Sequence, residues 1–156
     1  MRRTTLAAAL ATALVTGTAV AATAAAGSPG ASRPQGKTLR FGVRFSPFFY
    51  SDVDGNGRPS LGDTIVFSDS LVAGRKRVGR QGGTCPIVSM TPVLTNCTGT
   101  IALAGGQITI GGLTSQAPRK ALAVTGGTGR YRDARGEVTL VEFGDDRGSL
   151  TVHLLP

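Results

Sequence analysis

Tryptophan is absent and aromatic residues make up only 5% of the 156-residue chain. Stacking platforms for bases are therefore scarce, and nucleic acid is not the expected partner in spite of the basic composition. One histidine and two cysteines are too few, at this spacing, to build a Cys/His zinc site. Acidic residues are also in short supply, nine against 17 Lys and Arg, for a net charge of +8. Such a chain is drawn to anionic cell-wall polymers or lipid head groups. A long uncharged apolar run occurs only at Leu6–Val20.

That run follows Arg2 and Arg3 and is followed by Ala-x-Ala sites at Ala19–Ala21 and Ala22–Ala24. A basic start, a short apolar centre and a small-residue exit read as a secretory signal peptide over 1–26. The rival is a membrane anchor, but an Ala-rich centre is weakly apolar for a stable membrane span. Residues 27–37, rich in Gly, Pro and Ser, read as a disordered linker. The folded domain is expected over 38–156, about 120 residues and enough for a real core. Loss of a leader carrying Arg2 and Arg3 lowers the charge by two and leaves the mature chain basic. In an exported chain Cys85 and Cys97 read as a disulfide, the alternative being a free reactive thiol.

No sustained helical period follows the leader. Short runs of Val, Ile, Leu, Phe and Thr alternate with Gly-rich breaks, giving about eight strands from Leu39–Ser46 to Ser149–Leu155. This spacing predicts an all-β sandwich or barrel. Ala104–Gly106 and Asp145–Gly148 read as hairpin turns, and hairpins make neighbouring strands antiparallel. Near the C-terminus Val138, Leu140 and Glu142 share one face and Thr139, Val141 and Phe143 the other. Apolar residues on both faces call for cover on both, and a homo-oligomer is one way to supply it.

Two segments carry possible chemistry. In Asp52–Asp63, the residues Asp52, Asp54, Asn56 and Asp63 fall at positions 1, 3, 5 and 12 of a calcium loop. The end lacks a bidentate Glu, and Asp/Gly runs also make ordinary turns, so calcium and a solvated loop both stand. In Val124–Glu137 the glycines invite a phosphate-loop reading, but no Lys-Ser/Thr pair and no helix follows. A structured turn with Arg130, Arg132 and Arg135 in water is the plainer alternative. Arg75, Lys76, Arg77 and Arg80 form the densest basic cluster, readable as a solvated turn or an anion-binding patch.

The stretch Ala123–Gly136, AVTGGTGRYRDARG, resembles the signature turn of plant dirigent proteins and allene oxide cyclases. Ser60–Asp63 with Val66–Leu71 resembles the entry to their second strand. Arg77–Gly79 with Gly83 and Cys85 resembles the third, and Gly105–Gly112 the fifth. The likeness covers about Phe41 to Leu155. It implies an eight-stranded antiparallel β-barrel that holds a small, mostly apolar molecule. The cyclases close a reactive epoxide, dirigent proteins orient phenoxy radicals, and bacterial relatives fold polyketide chains for cycloaddition. Such a barrel acts by holding one reactive conformer in a dry cavity.

By this resemblance Asp69 matches the strand-two polar residue that holds a water or substrate oxygen, and Cys85 a cavity cysteine. The likeness stops at the first strand, because Lys37–Ser51 contains no acidic residue where these families use a carboxylate. From the residues themselves, His153 is a candidate general base, and Glu142 is a candidate acid if it points inward. Arg44 would neutralise an anionic ligand group, and Phe41, Phe45 and Phe49 would line or cap a cavity. Each has a plain packing or surface reading beside it. The expectation is a secreted barrel for a small apolar metabolite, acting as a cofactor-free cyclase or isomerase or as an orienting protein. The alternative is a non-catalytic secreted binding or envelope-associated protein.

Overall fold

The computed structural model describes residues 36–156. The expected leader over 1–26 and the expected linker up to residue 35 lie outside the described residues. Lys37 already belongs to the first strand.

Nine strands form among the described residues: β1 Lys37–Arg44, β2 Phe49–Ser51, β3 Thr64–Ala73, β4 Lys76–Met90, β5 Val93–Leu103, β6 Gly106–Ser115, β7 Arg119–Gly127, β8 Gly136–Glu142 and β9 Arg147–Leu154. From β3 onward each strand pairs antiparallel with the next. β1 pairs with β9 on one side and β3 on the other. That last pairing closes an eight-stranded antiparallel barrel. β2 continues the path of β1 along β3, where Phe49 faces Val66 and Ser51 faces Thr64. Three residues, Phe49–Ser51, overlapping the aromatic run Phe48–Tyr50, carry too little alternation to announce a strand, so only the structure reveals it.

Period-two alternation assigns the faces. In β8, Val138 points inward and Thr139 outward; in β9, Leu150 and Val152 point inward. The β5–β6 turn puts Gly105 at φ +94°, and Asp146 in the β8–β9 turn lies at φ +53°. Asp is one of the few side chains that accepts that conformation. Close strand approach also demands glycine. A methyl on Gly83 would collide with the Thr98 carbonyl, and one on Gly99 would press on the Gly82 carbonyl. The tip of the Phe67 ring lies in ordinary contact beside Gly99.

The two ends differ. At one, the turns β3–β4, β5–β6 and β7–β8 converge on a closed base. A 3-10 turn over Gly129–Tyr131 is lashed to the β5–β6 hairpin by Thr128 N–H to the Gln107 carbonyl and Arg130 N–H to the Gly105 carbonyl. It pushes Tyr131 into the core as a plug. Leu71, Ile101, Ile108, Val138 and Val152 sit just above with no measurable exposure. Each fully buried aliphatic side chain contributes about 1.5–3 kcal/mol, so this half is the mechanical base of the barrel. The other end, the mouth, is less completely filled.

Candidate functional site

Near the mouth, side chains that point inward keep partial exposure. Phe41, Phe67, Lys120, Leu122, Leu140 and Glu142 are all half-buried. Opposite them Cys85, Ile87, Cys97 and Thr114 form a buried wall. The interior is thus packed solid below, and at the mouth, called the cup below, the inward side chains are only partly covered.

The cup contains charge. Lys120 stands directly across from Leu140, which places its ammonium on the inward face. That ammonium lies 2.7 Å from Oε1 of Glu142 and donates to the Ala117 carbonyl at 3.0 Å. Glu142 is cross-strand from Gly148. The missing side chain there leaves room for Phe45, since a methyl on Gly148 would sit 2.9 Å from the ring. Beyond Phe45 the backbone N–H of Ser46 donates to Oδ1 of Asp69 at 3.1 Å, and Gln81 donates to Oδ2 at 3.0 Å. Asp69 and Gln81 are buried. One wall of the cup therefore runs from Asp69 across Phe45 to Glu142 and Lys120. On the buried wall Thr95 and Thr114 share a hydrogen bond of 2.8 Å, and Thr114 lies 3.3 Å from Sγ of Cys97. Cys85 and Cys97 form a disulfide between strands β4 and β5.

The structure brings Asp69, Glu142, Phe41 and Phe45 to the interior and leaves three other candidates outside. Arg44 follows inward-facing Val43, so alternation turns it to solvent. Phe49 pairs with outward Val66 and is 66% exposed. His153 lies between inward Val152 and Leu154 and bonds Thr38 at 3.0 Å on the outer surface. Lys120 and Gln81 went unread in the sequence. Continuing the alternation of Val124 and Leu122 back two residues would have found Lys120.

Asp52, Asp54 and Asp63 each bring a carboxylate oxygen within 4.8 Å of the others. Those oxygens already accept bonds from the loop itself. Asp52 takes the N–H groups of Gly55 and Gly57. Asp54 takes the backbone and side chain of Asn56 and the hydroxyl of Ser60. Asp63 takes the Tyr50 hydroxyl at 2.7 Å, the N–H of Val53, and both the N–H and the hydroxyl of Ser60. The Tyr50 bond, followed by those backbone bonds, holds the Asp63 carboxyl below its ordinary range. The same bond pushes the Tyr50 hydroxyl up to about 12. Asn56 points its amide at Asp54 and gives its side-chain oxygen to the N–H of Arg58. The segment is a self-satisfied loop hung on a buried aspartate.

Two depressions lie elsewhere. One of about 350 Å³ follows the outer face of β4–β7 and is walled by Thr84, Thr98, Thr100, Thr109 and Thr125. The other, about 310 Å³, lies at the closed end beside Lys37, Arg130 and Leu155. No helix among the described residues is long and apolar enough to cross a membrane.

The family described as allene oxide cyclase barrel like domain matches residues 50–154. No curated protein matches the sequence. Among solved structures, pyocyanin demethylase is 31% identical with a TM-score of 0.70, the match covering 76% of this chain and all of that one. A pterocarpan synthase dirigent protein is 21% identical with a TM-score of 0.62, covering 79% of this chain and 95% of its own. The exo-specific intermolecular Diels-Alderase AbnU is 17% identical with a TM-score of 0.60, covering 76% and 98%. The last two share the fold.

Proposed function

The chain belongs to the allene oxide cyclase-like barrel family, and from that premise we propose that it binds a small, mostly apolar molecule in the mouth half of the barrel and guides its cyclisation, isomerisation or coupling. The observation that carries this reading is the makeup of the mouth: partly exposed inward apolar side chains interrupted on one side by the Lys120–Glu142 pair and the buried Asp69–Gln81 pair. Pyocyanin demethylase, by its name, acts on a small molecule, which supports the same use of the barrel here.

In this reading Phe41, Phe45 and Phe67 hold the ligand's apolar body. Glu142 exchanges a proton with it, and Lys120 stabilises negative charge that develops on a ligand oxygen. Asp69, held on both oxygens, fixes the position of Phe45 through Ser46. Cyclisation and isomerisation move no net electrons, and in a coupling the barrel would only orient radicals that a separate oxidant has generated. Arg44, Phe49 and His153 face solvent and are given no part. The disulfide and the basic leader support export from the cell.

A self-associating outer face is part of the proposal. Phe49, Val66, Val88 and Leu113 are exposed by 66%, 38%, 47% and 58% beside the uncharged threonine groove. Light scattering of the purified protein should give a mass above one chain, and a strict monomer would remove this element.

Native mass spectrometry of protein purified from its producing cells tests the main reading. A co-purifying small molecule, released when Phe45 is changed to Ala, is the expected result. Absence of any bound molecule, together with no binding from a library of apolar metabolites, would leave the non-catalytic envelope-protein reading in its place.

A further inference from the structure

The charges outside the cup are segregated along the barrel axis. Arg75, Lys76 and Arg77 occupy the β3–β4 turn, and Arg130, Arg132 and Arg135 the segment between β7 and β8. Lys37 opens β1 at the same end, where it and Arg130 border one depression. All seven are exposed. Among the described residues none forms an ion pair with a carboxylate, the two such pairs being Lys120–Glu142 and Arg147–Asp145. Only Asp133 and Glu137 dilute this charge. The mouth is different, carrying Asp52, Asp54, Asp63, Glu142, Asp145 and Asp146 against Arg44, Arg58, Arg119, Lys120 and Arg147.

We propose that the closed end is a docking face for an anionic phospholipid bilayer, which holds the barrel on the membrane surface with its mouth turned away. Three separate segments spread the charge across this end and around the depression that Lys37 and Arg130 border, which suits a surface better than a threaded polymer. The one aromatic residue at this end, Tyr131, is buried as the plug, so nothing is offered for base stacking. Leu155 is 64% exposed beside Lys37 and Arg130. An apolar tip ringed by cations fits a headgroup layer, where the tip enters the acyl boundary and the cations meet lipid phosphate. The folded chain also begins here, since Gly36 lies against the Leu154 carbonyl.

Sedimentation with vesicles tests this. The full chain should pellet with phosphatidylcholine vesicles containing phosphatidylglycerol and much less with phosphatidylcholine alone. Binding should fall when salt is raised to about 0.5 M, because screening shortens to about 4 Å. Each cation at the surface is worth about a fivefold change in partitioning. Replacing Arg75, Lys76 and Arg77 by Ala should thus weaken binding about a hundredfold, and replacing Arg130, Arg132 and Arg135 should do the same. These turns are exposed, so circular dichroism should show both variants folded. Replacing Arg58, Arg119 and Arg147 at the mouth is the matched control and should change little. Equal binding to both vesicle types would overturn the proposal. So would equal weakening by the mouth variant, or tighter binding to soluble polyphosphate than to the anionic vesicles. None of these outcomes depends on what the cup binds.

Discussion

The ammonium of Lys120 and the carboxylate of Glu142 meet at 2.7 Å on the inner face of the barrel mouth, with side-chain exposures of 17% and 39%. A pair this open to water is worth at most about 1 kcal/mol in stability, so its placement is better explained by what enters the cup. Glu142→Gln keeps the shape and removes the charge. Its melting temperature should shift by only a few degrees, whereas affinity for the co-purified ligand should fall about tenfold or more. Lys120→Met should do the same for a ligand that presents an oxygen. Calorimetry on the wild type and both variants reads this directly; unchanged affinity with lowered stability would make the pair structural.

Asp69 is a different case, because it is buried and both oxygens are used. Asp69→Ala leaves the Ser46 N–H and the Gln81 amide without their acceptor. An unmade bond to a buried group costs about 1–3 kcal/mol. Urea unfolding should show a lowered midpoint with an unchanged slope. Asp69→Asn retains one acceptor and should lose less.

The barrel strands were legible because their apolar runs are separated by Gly-rich turns, and Gly105 occupies a position that requires positive φ. Glu142 was legible as an inward candidate from its alternation with Val138 and Leu140. Its partner was not, since Lys120 opens a strand and an initial lysine looks like a solvated end. Arg44 and His153 went the other way. Residue type marked them as chemical candidates, and register, which a sequence leaves open by one residue, turned both outward. The segregation of basic turns at one end was hidden for a further reason. Arg75–Arg77 and Arg130–Arg135 are far apart in the chain and meet only through the meander.

The loop hung on Asp63 makes a pH prediction. Asp63 is held below its ordinary range mainly by the Tyr50 hydroxyl. A depressed carboxylate contributes stability that is present above its unfolded value, near 3.8, and lost as pH falls through the folded value. Tyr50 has the opposite sign. Raised to about 12 from 10, it contributes fully below pH 10 and ceases to as pH climbs toward 12. Tyr50→Phe should therefore lower stability at neutral pH, shrink the part of the acid limb below 3.8 that Asp63 contributes, and remove the Tyr50 contribution to the alkaline limb. Limited proteolysis around Arg58 should track both limbs. A profile unchanged by Tyr50→Phe would separate the loop's stability from this bond.

Asp52, Asp54, Asn56 and Asp63 also permit a calcium test. Eight N–H and O–H donors already converge on the three carboxylates, the Ser60 hydroxyl lying within reach of both Asp54 and Asp63. A cation entering among them would have to displace some, so titration with calcium chloride should give little heat and no rise in melting temperature. A clear stoichiometric heat that is lost in Asp54→Asn would show that the loop exchanges those donors for the ion.

Cys85 and Cys97 face each other on neighbouring strands in the wall opposite Glu142, at a Cα–Cα distance of 4.1 Å and a separation of 12 residues. Because β4 and β5 are already joined on either side of the bridge by their own ladder, the cross-link adds little to the folded barrel. Its effect falls on the unfolded chain, where closing a loop of this length is worth about 3 kcal/mol. For a domain of about 120 residues that corresponds to a melting temperature about 10 °C lower on reduction. The Cys85→Ser, Cys97→Ser double variant should fall by a similar amount and should be insensitive to dithiothreitol. Its native fold should persist, because the strands keep their hydrogen bonds. The bridge also borders Thr114, so ligand affinity tests whether it matters to the cup as well. If reduction lowers the melting temperature while affinity stays constant, the disulfide acts on stability alone. If affinity falls under conditions where the barrel remains fully folded, the wall at Cys97 and Thr114 belongs to the binding site.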